Sequence, residues 1–359
     1  MKFVFLVQGE GRGHMTQAMA LSRILSSNGH EVVHTFIGKS IRRLIPRYFY
    51  EQIESKVEEI ESPNFVLDKE NKSLNLGKSV AHNARYLNTY KKSLDKIHRK
   101  VREAAPDALI NFYDFLGGFY FRFYKPSKTK HVCIGRQFLT FHPDYPFVPN
   151  REIEKRLFIA NNKITSQKCD KYLALSFRPY EPIKHKKVVV VPPLLKDDLK
   201  NTKPLHEDFY LGYMVNDGYA EEIISWHKNH PEIELHCFWD RKNVAEAYFP
   251  RDNLCFHQIN NALFADMMRR CKGYVSTAGF ESVCEAMYLK KPVLMVPVEG
   301  QYEQACNAAD AELSGAGIQA TSFDISKLMD FVPKYAPNND FQKWSGQADD
   351  IFLEELTNF

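Results

Sequence analysis

Two stretches hold residue types in an order suited to chemistry. The first is QGEGRGH near the N-terminus, where Gly9, Gly11 and Gly13 alternate and His14 follows. Glycine lets a backbone pass close to a ligand because no side chain fills the space. An imidazole, with an ordinary pKa of about 6.5, suits removal of a hydroxyl proton near neutral pH. The second stretch is CKGYVSTAGFESVCEAMYLKKPVLMVPVEGQYEQ, residues 271–304. Ser276, Thr277 and Ser282 supply hydroxyls, and Gly279 opens a helix. The unpaired N–H groups and positive dipole end of a helix start are a natural seat for phosphate. Glu285 can accept two hydrogen bonds from a ribose diol. Glu303 and Gln304, a carboxylate beside an amide at the next helix start, suit a polyhydroxylated ligand. The chemistry reads phosphate, then ribose, then sugar.

Both stretches need strands and helices to aim them. KFVFLV reads as a buried strand, followed by a turn, a helix from about Met15 to Ser27 and a second strand, HEVVHTFIG. DALINFY, KHVCIG, KYLALS and KVVVV read as further strands, and residues 78–104 as a long polar helix. Pro192, Pro193 and Pro204 bracket a polar stretch that reads as a linker. Beyond it the alternation restarts with FYLGYMV, IELHCFW, NLCFHQI, GYVST, PVLMVP and GIQA as strands. The fold class is α/β, with two Rossmann-like open parallel-sheet domains facing across a cleft. The expected domains are 1–193, 194–338, and a C-terminal helix in 339–359 that returns to the first.

At 359 residues and 44% hydrophobic content, the chain can build two cores. It has neither a run of about 18 apolar residues nor a signal-peptide pattern, so a cytoplasmic location is expected. The seven cysteines are odd in number and show no C-x-x-C pair, which fits reduced thiols. Charge is uneven. Residues 1–180 hold 30 Lys+Arg against 17 Asp+Glu, a net of +13, while the rest carry −9. That split points to an anionic partner for the first half or to a solvated surface whose charge has drifted. The stretch Lys39 to Tyr50, with Arg42, Arg43 and Arg47 among apolar residues, suits either an anionic membrane or a helix packed on the sheet.

The window TAGFESVCEA, with KKP, VP and YEQ after it, resembles the donor-binding box of the two-domain GT-B glycosyltransferases. The nearest branches are the UDP-glycosyltransferases and the family that adds N-acetylglucosamine to lipid-linked muropeptide. The resemblance implies that Gly279, Phe280, Ser282 and Glu285 hold the nucleotide, with Ser276 and Thr277 assisting, and that Glu303 and Gln304 hold the donor sugar. Thr277 stands where many members have a histidine. The same families open with a glycine-rich loop and G-H-x-x-P. Here Gly13-His14 fits and Gln17 takes the proline position. The resemblance implies that His14 is the general base, that Gly11 and Gly13 lie close to the donor, and that Asp114 orients the imidazole. Asp114 also reads as a plain helix cap before FLGG.

The implied activity is an inverting, metal-independent transfer of a sugar from a nucleotide-sugar, a UDP-sugar, to a hydroxyl acceptor that is lipid-linked or part of a cell-envelope glycan. No cofactor beyond the donor is implied. Arg136, Gln137 and His142, in the proline- and aromatic-rich stretch 135–149, are acceptor contacts or parts of a structured loop. A dinucleotide oxidoreductase fits poorly, because His14 replaces the third glycine of G-x-G-x-x-G. No metal site is assigned, no D-x-D triplet ends a strand, and no nucleic-acid module is recognised. Two other classes remain: a nucleotide-sugar epimerase of the same fold, and a non-catalytic sugar-nucleotide-binding protein at a membrane.

Overall fold

The computed structural model describes residues 1–39, 45–63, 83–183, 187–214, 217–241 and 244–358. They divide into two compact units. Unit 1 takes the described residues of Met1–Val66, Asn75–Lys196 and Trp344–Phe359, and unit 2 those of Asp197–Lys343.

In chain order, unit 1 runs β1 (Lys2–Val7), α1 (Arg12–Ser27), β2 (Glu31–Lys39), α2 (Arg47–Gln52), β3 (Val57–Glu61), α3 (Leu87–Ala104) and β4 (Ala108–Phe112). It continues with α4 (Phe115–Phe123), β5 (Lys130–Ile134), a 3-10 turn (Arg136–Phe141), α5 (Glu152–Thr165), β6 (Lys171–Leu175) and β7 (Val188–Val191). The seven strands lie in the order β3-β2-β1-β4-β5-β6-β7, all parallel. Parallel strands are covered on both faces, which is why KFVFLV buries every residue after Lys2. The polar-looking α3 sits on the sheet through one stripe. Tyr90, Leu94, Ile97 and Val101 recur at helical spacing and pack with Val4, Leu6, Phe36 and Leu109. It ends at Ala105, in the left-handed region, just before Pro106.

Unit 2 runs α6 (Asp197–Lys200), β8 (Tyr210–Tyr213), α7 (Ala220–Lys228), β9 (Leu235–Trp239), β10 (Ala247–Arg251), β11 (Leu254–Gln258) and α8 (Asn261–Arg270). Then come β12 (Gly273–Ser276), α9 (Phe280–Tyr288), β13 (Val293–Met295), α10 (Tyr302–Leu313), β14 (Gly317–Gln319) and α11 (Ser326–Phe331). The order is β10-β11-β9-β8-β12-β13-β14, parallel except for the edge strand β10. Leu235, Trp239, Phe256, Val275, Leu294 and Phe323 form its core.

The chain closes with α12 (Asn339–Gly346) and α13 (Ala348–Thr357), where one helix near 340–356 was expected. The last of these belongs to unit 1. Lys171 Nζ pairs with Glu355 Oε2 at 3.0 Å, and the Trp344 indole N–H donates to the Ser176 carbonyl at 3.0 Å. Among the described residues, no helix is long and apolar enough to cross a membrane.

In each unit the connections part to opposite sides of one strand pair: β1 and β4 in unit 1, β8 and β12 in unit 2. Ligands of open α/β sheets bind beyond the carboxyl ends of strands at such a switch point. His14 follows β1, Asp114 follows β4, and Gly279 follows β12. The topology thus brings both sequence windows to the expected end of their own sheets.

Candidate functional site

In unit 1, Gly11 is the N-cap of α1, and Gly13 and His14 are its second and third residues. The glycines have local reasons. A Cβ on Gly9 would stand 1.9 Å from the Gly38 carbonyl oxygen, and one on Gly11 would stand 3.0 Å from His14 Cδ2. The loop is thus pressed against the end of β2 and against the imidazole. His14 is 8% exposed and stacks on Tyr113, with centroids 5.6 Å apart. Its Nδ1 bonds Gln17 Oε1 at 3.4 Å, the ring's one hydrogen bond among the described residues. Burial pushes its pKa down from 6.5 to about 4, and the Gln17 bond opposes this only in part. The ring is therefore neutral at neutral pH, with Nδ1–H on Gln17 and the Nε2 lone pair free to accept a proton.

The expected His14–Asp114 pair does not form. Asp114 is the N-cap of α4 and accepts from the Leu116 N–H at 2.9 Å and from Ser62 Oγ at 2.7 Å. It is fully buried, and a Cβ on Gly38 would meet its Oδ2 at 2.5 Å. Burial lifts its pKa to about 6 against those two bonds. Asp114 is a structural cap, and the side chain held on the imidazole is that of Gln17. The spacing His14/Gln17 could have shown this, because i and i+3 share a helix face. Tyr113 was also missed. It holds φ 63, in the left-handed region, and Asn161 Nδ2 donates to its hydroxyl at 2.7 Å, which fixes the ring under His14.

In unit 2, Gly279 is the N-cap of α9 with no side-chain cap. Its φ of −68 suits any residue, and a Cβ there would meet only Ser282 Oγ, at 3.8 Å. Nothing in the unit requires glycine here, and beyond Ser282 Oγ a side chain at this position would enter open space. Ala278, just before it, holds φ 58, a left-handed conformation that costs a non-glycine residue roughly 1–2 kcal/mol. The Ser276 and Thr277 hydroxyls are buried and lack a hydrogen-bond partner among the described residues. Orphaned polar groups of this kind call for a ligand, a water or a role. Ser282 donates to the Gly279 carbonyl at 3.4 Å. Glu285, the sixth residue of α9, is half-buried. Phe280 is only 7% exposed, so its ring turns inward and is not displayed where a nucleobase could stack on it. At the start of α10, Glu303 is half-buried, and Gln304 Oε1 accepts from the Val298 N–H at 2.8 Å. That bond fastens the β13–α10 loop and leaves the Gln304 amide nitrogen for other use. A cavity of ≈ 500 Å³, lined by Pro297, Glu299, Gln319, Ala320 and Thr321, opens where β13 and β14 end.

Of the two readings of the 135–149 stretch, its side chains fit the structured loop. Arg136 is 1% exposed, with its guanidinium over Phe177 at 5.0 Å and Tyr145 at 5.4 Å. His142 Nε2 bonds the Glu181 carbonyl at 3.0 Å, and its Nδ1 accepts from the Asp144 N–H at 3.2 Å. Gln137 is 6% exposed, and its backbone carbonyl accepts from Asn162 Nδ2 at 2.9 Å. The three hold the 135–149 loop together; none is displayed for an acceptor. Of the basic stretch, residues 40–44 (Arg42 and Arg43 among them) lie outside the described residues. Phe49 is fully buried, and Arg47 bonds Glu51 at 2.7 Å.

His30-Glu31-Val32-Val33-His34 has zinc-motif spacing, but it falls at the start of a strand, where four residues span roughly 13 Å. His30 bonds the N-terminal ammonium and His34 lies by Glu58, so they share no ion. True convergence arises elsewhere: His131, Cys133 and Cys169 form one cluster, and His236, Cys255 and His257 another. The signal was H-x-C and C-x-H, which place both residues on one face of a strand.

A family model described as Glycosyl transferase family 1 matches residues 1–336. Among solved structures, Arabidopsis thaliana UGT89C1 complexed with quercetin aligns over 99% of each chain, at 13% identity and a TM-score of 0.64. Acinetobacter baumannii MurG aligns over 100% of each chain, at 14% identity and a TM-score of 0.58. The Neisseria meningitidis UDP-GlcNAc 2-epimerase bound to UDP-GlcNAc does so at 14% identity and 0.58. At such identities the likeness is one of fold, and that fold is GT-B. No curated protein matches the chain by sequence.

Proposed function

The chain belongs to glycosyl transferase family 1, and from that premise we propose that it is an inverting glycosyltransferase using a nucleotide-sugar, a UDP-sugar, and a hydroxyl acceptor. The observation that carries this reading is the mouth of α9. Gly279 leaves the helix N-terminus uncapped and open, beside two buried hydroxyls without partners and a strained Ala278. Such a mouth suits a diphosphate, whose charge meets the N–H groups of a first helical turn and the dipole end. Glu285 takes the ribose diol. The cavity where β13 and β14 end has the size of a small-ligand pocket and takes the base. Glu303 and the Gln304 amide N–H address the sugar hydroxyls.

His14 accepts the acceptor's O–H proton at Nε2 while the oxygen attacks the anomeric carbon. The bond from that carbon to phosphate breaks, and the nucleoside diphosphate leaves with the electron pair. A single displacement inverts the centre. Gln17 Oε1 receives Nδ1–H and steadies the imidazolium as it forms. A neutral amide does this less strongly than a carboxylate would. The helix dipole stabilises the leaving diphosphate, so the reading asks no metal of the site.

The lipid-linked nature of the acceptor and contact with an anionic membrane belong to the same proposal, supported by the +13 of the first 180 residues. The test is calorimetry with UDP and a panel of nucleotide-sugars, then incubation of the best binder with and without alcohols. A glycoside formed only with an acceptor supports transfer. An altered sugar still on its nucleotide, formed from donor alone, replaces transfer with epimerisation. Glu285→Ala is expected to weaken UDP, and equal affinity removes it from the ribose.

A further inference from the structure

The strands β9 and β11 are parallel neighbours, with Cys255 paired to His236 and His257 to Phe238. Residues two apart in a strand share a face, so His236, Cys255 and His257 project together. One ring nitrogen from each imidazole and the Cys255 sulfur lie within 4.8 Å of one another. None of the three belongs to the proposed donor or acceptor machinery.

The hydrogen bonds fix the protons. His236 Nε2 lies 3.0 Å from Glu234 Oε1, so that nitrogen donates to the carboxylate and Nδ1 holds the lone pair. Nδ1 faces His257 Nε2 at 2.9 Å, which therefore donates. His257 Nδ1 in turn faces Cys255 Sγ at 3.8 Å. A histidine whose far nitrogen is held by a carboxylate is the arrangement that orients and strengthens metal-ligating imidazoles.

We propose that His236, Cys255 and His257 bind a divalent cation of the zinc class. One thiolate and two imidazoles suit such borderline-soft ions and not magnesium or calcium, which take oxygen ligands. Binding releases the Cys255 thiol proton, one per ion, and moves the His257 proton from Nε2 to Nδ1. Tetrahedral N–Zn bonds of about 2.0–2.1 Å put two nitrogens roughly 3.3 Å apart, so the pair must open by only about 0.4 Å. Cys255 and His257 are buried, but the His236 side chain is 19% exposed. The ion thus has an entry along the His236 side chain. The other cluster has no such door: His131 and Cys133 are fully buried, Cys169 is 5% exposed, and His131 stacks on Phe121 at 4.1 Å.

The test adds Co²⁺ to reduced, chelator-treated protein without nucleotide and follows the thiolate-to-cobalt absorption in the near ultraviolet. Wild type is expected to bind one equivalent, show the band, release one proton and lose the band on adding Zn²⁺. Cys133→Ser should keep the band, and Cys255→Ser should lack it. His236→Gln, at a partly exposed side chain, should weaken Co²⁺ by about tenfold or more, and it decides the matter if Cys255→Ser fails to fold. No band in wild type, a band that survives Cys255→Ser, or unchanged affinity in His236→Gln overturns the proposal and leaves a hydrogen-bonded chain alone.

Discussion

Replacing Gly279 separates folding from binding better than any other change in unit 2. Its backbone angles, φ −68 and ψ 132, are open to every L residue, and a new methyl would meet one atom within 4 Å, Ser282 Oγ at 3.8 Å. Gly279→Ala therefore introduces no clash. Two effects on stability oppose each other. Restricting the unfolded chain favours alanine by about 0.4–1 kcal/mol. Alanine is the poorer N-cap by roughly 0.5–1 kcal/mol. The net change should fall within about 0.5 kcal/mol of zero. The same methyl stands where a phosphate oxygen must come to about 2.8–3.0 Å from a helix N–H. A hydrogen bond to a charged group contributes about 1.5–3 kcal/mol, so losing one should weaken UDP about 10- to 150-fold. Urea unfolding and calorimetry with UDP measure the two quantities on the same preparations. A variant that unfolds like the parent and also binds UDP within about twofold of it would refute the reasoning, because the helix mouth would then not be the phosphate seat.

His14→Ala should leave UDP affinity unchanged and lower turnover by roughly 10²–10⁴-fold; unaltered turnover in a steady-state assay removes the ring from the chemistry. Because burial holds His14 at about 4, the acid limb of kcat/KM should fall well below 6.5, and an inflection at the ordinary imidazole value would contradict the buried base. Gln17→Glu sets a carboxylate on Nδ1, 3.4 Å away, and an adjacent opposite charge raises a pKa by about 1–3 units; the acid limb should move up accordingly, and a fixed limb denies that His14 sets it. Unit 1 buries His14 and His131, both pushed down to about 4, and Asp114, pushed up to about 6. The two histidines give stability present above 6.5 and lost as pH falls toward 4, while Asp114 gives stability lost as pH rises through 6. Near pH 5 the balance is about one proton, or about 1.4 kcal/mol per pH unit. Urea midpoints should therefore fall from pH 6.5 to 4.5, and a flat or rising profile refutes the balance.

The elements were the most legible part of the sequence. Apolar runs such as KFVFLV and ALINF become buried strands because a parallel sheet covers both faces. The strands that escaped notice, VEEIE and AYFPR, lie at the sheet edges, where one side meets water and the apolar run is broken. Site windows were legible as far as their place at strand ends. What each side chain does there was not, because it depends on partners distant in sequence. Asp114 is claimed by Ser62, 52 residues away, and His142 by Glu181, 39 away. No spacing announces such partners. Gln17 was visible as a departure from a pattern, and only the hydrogen bond gave it a role. The reason for Gly9 also lay in another strand, at Gly38.

The two units build the same junction and then treat it oppositely. After β4 and after β12, the strand beside the first strand of each sheet, a non-glycine residue takes a left-handed turn: Tyr113 at φ 63 and Ala278 at φ 58. A helix follows at once. In unit 1 its N-terminus is filled by Asp114, whose carboxylate accepts from the Leu116 N–H and stands where an anion would sit. A diphosphate arriving there would meet a carboxyl group and N–H groups already in use. In unit 2 the corresponding residue, Gly279, brings neither charge nor acceptor. The excess of positive charge in the first half of the chain would by itself draw the anionic donor to the wrong unit. Coulomb attraction over a surface is screened within about 8–10 Å, whereas several short hydrogen bonds at an open helix mouth are not. A single cap residue can therefore outweigh a long-range charge difference. Gly279→Asp carries this argument to its limit: by restoring in unit 2 the cap that unit 1 has, it should raise stability by a few tenths of a kcal/mol in urea unfolding and abolish measurable UDP binding in calorimetry. A stabilised variant that still binds UDP would mean that the donor sits elsewhere.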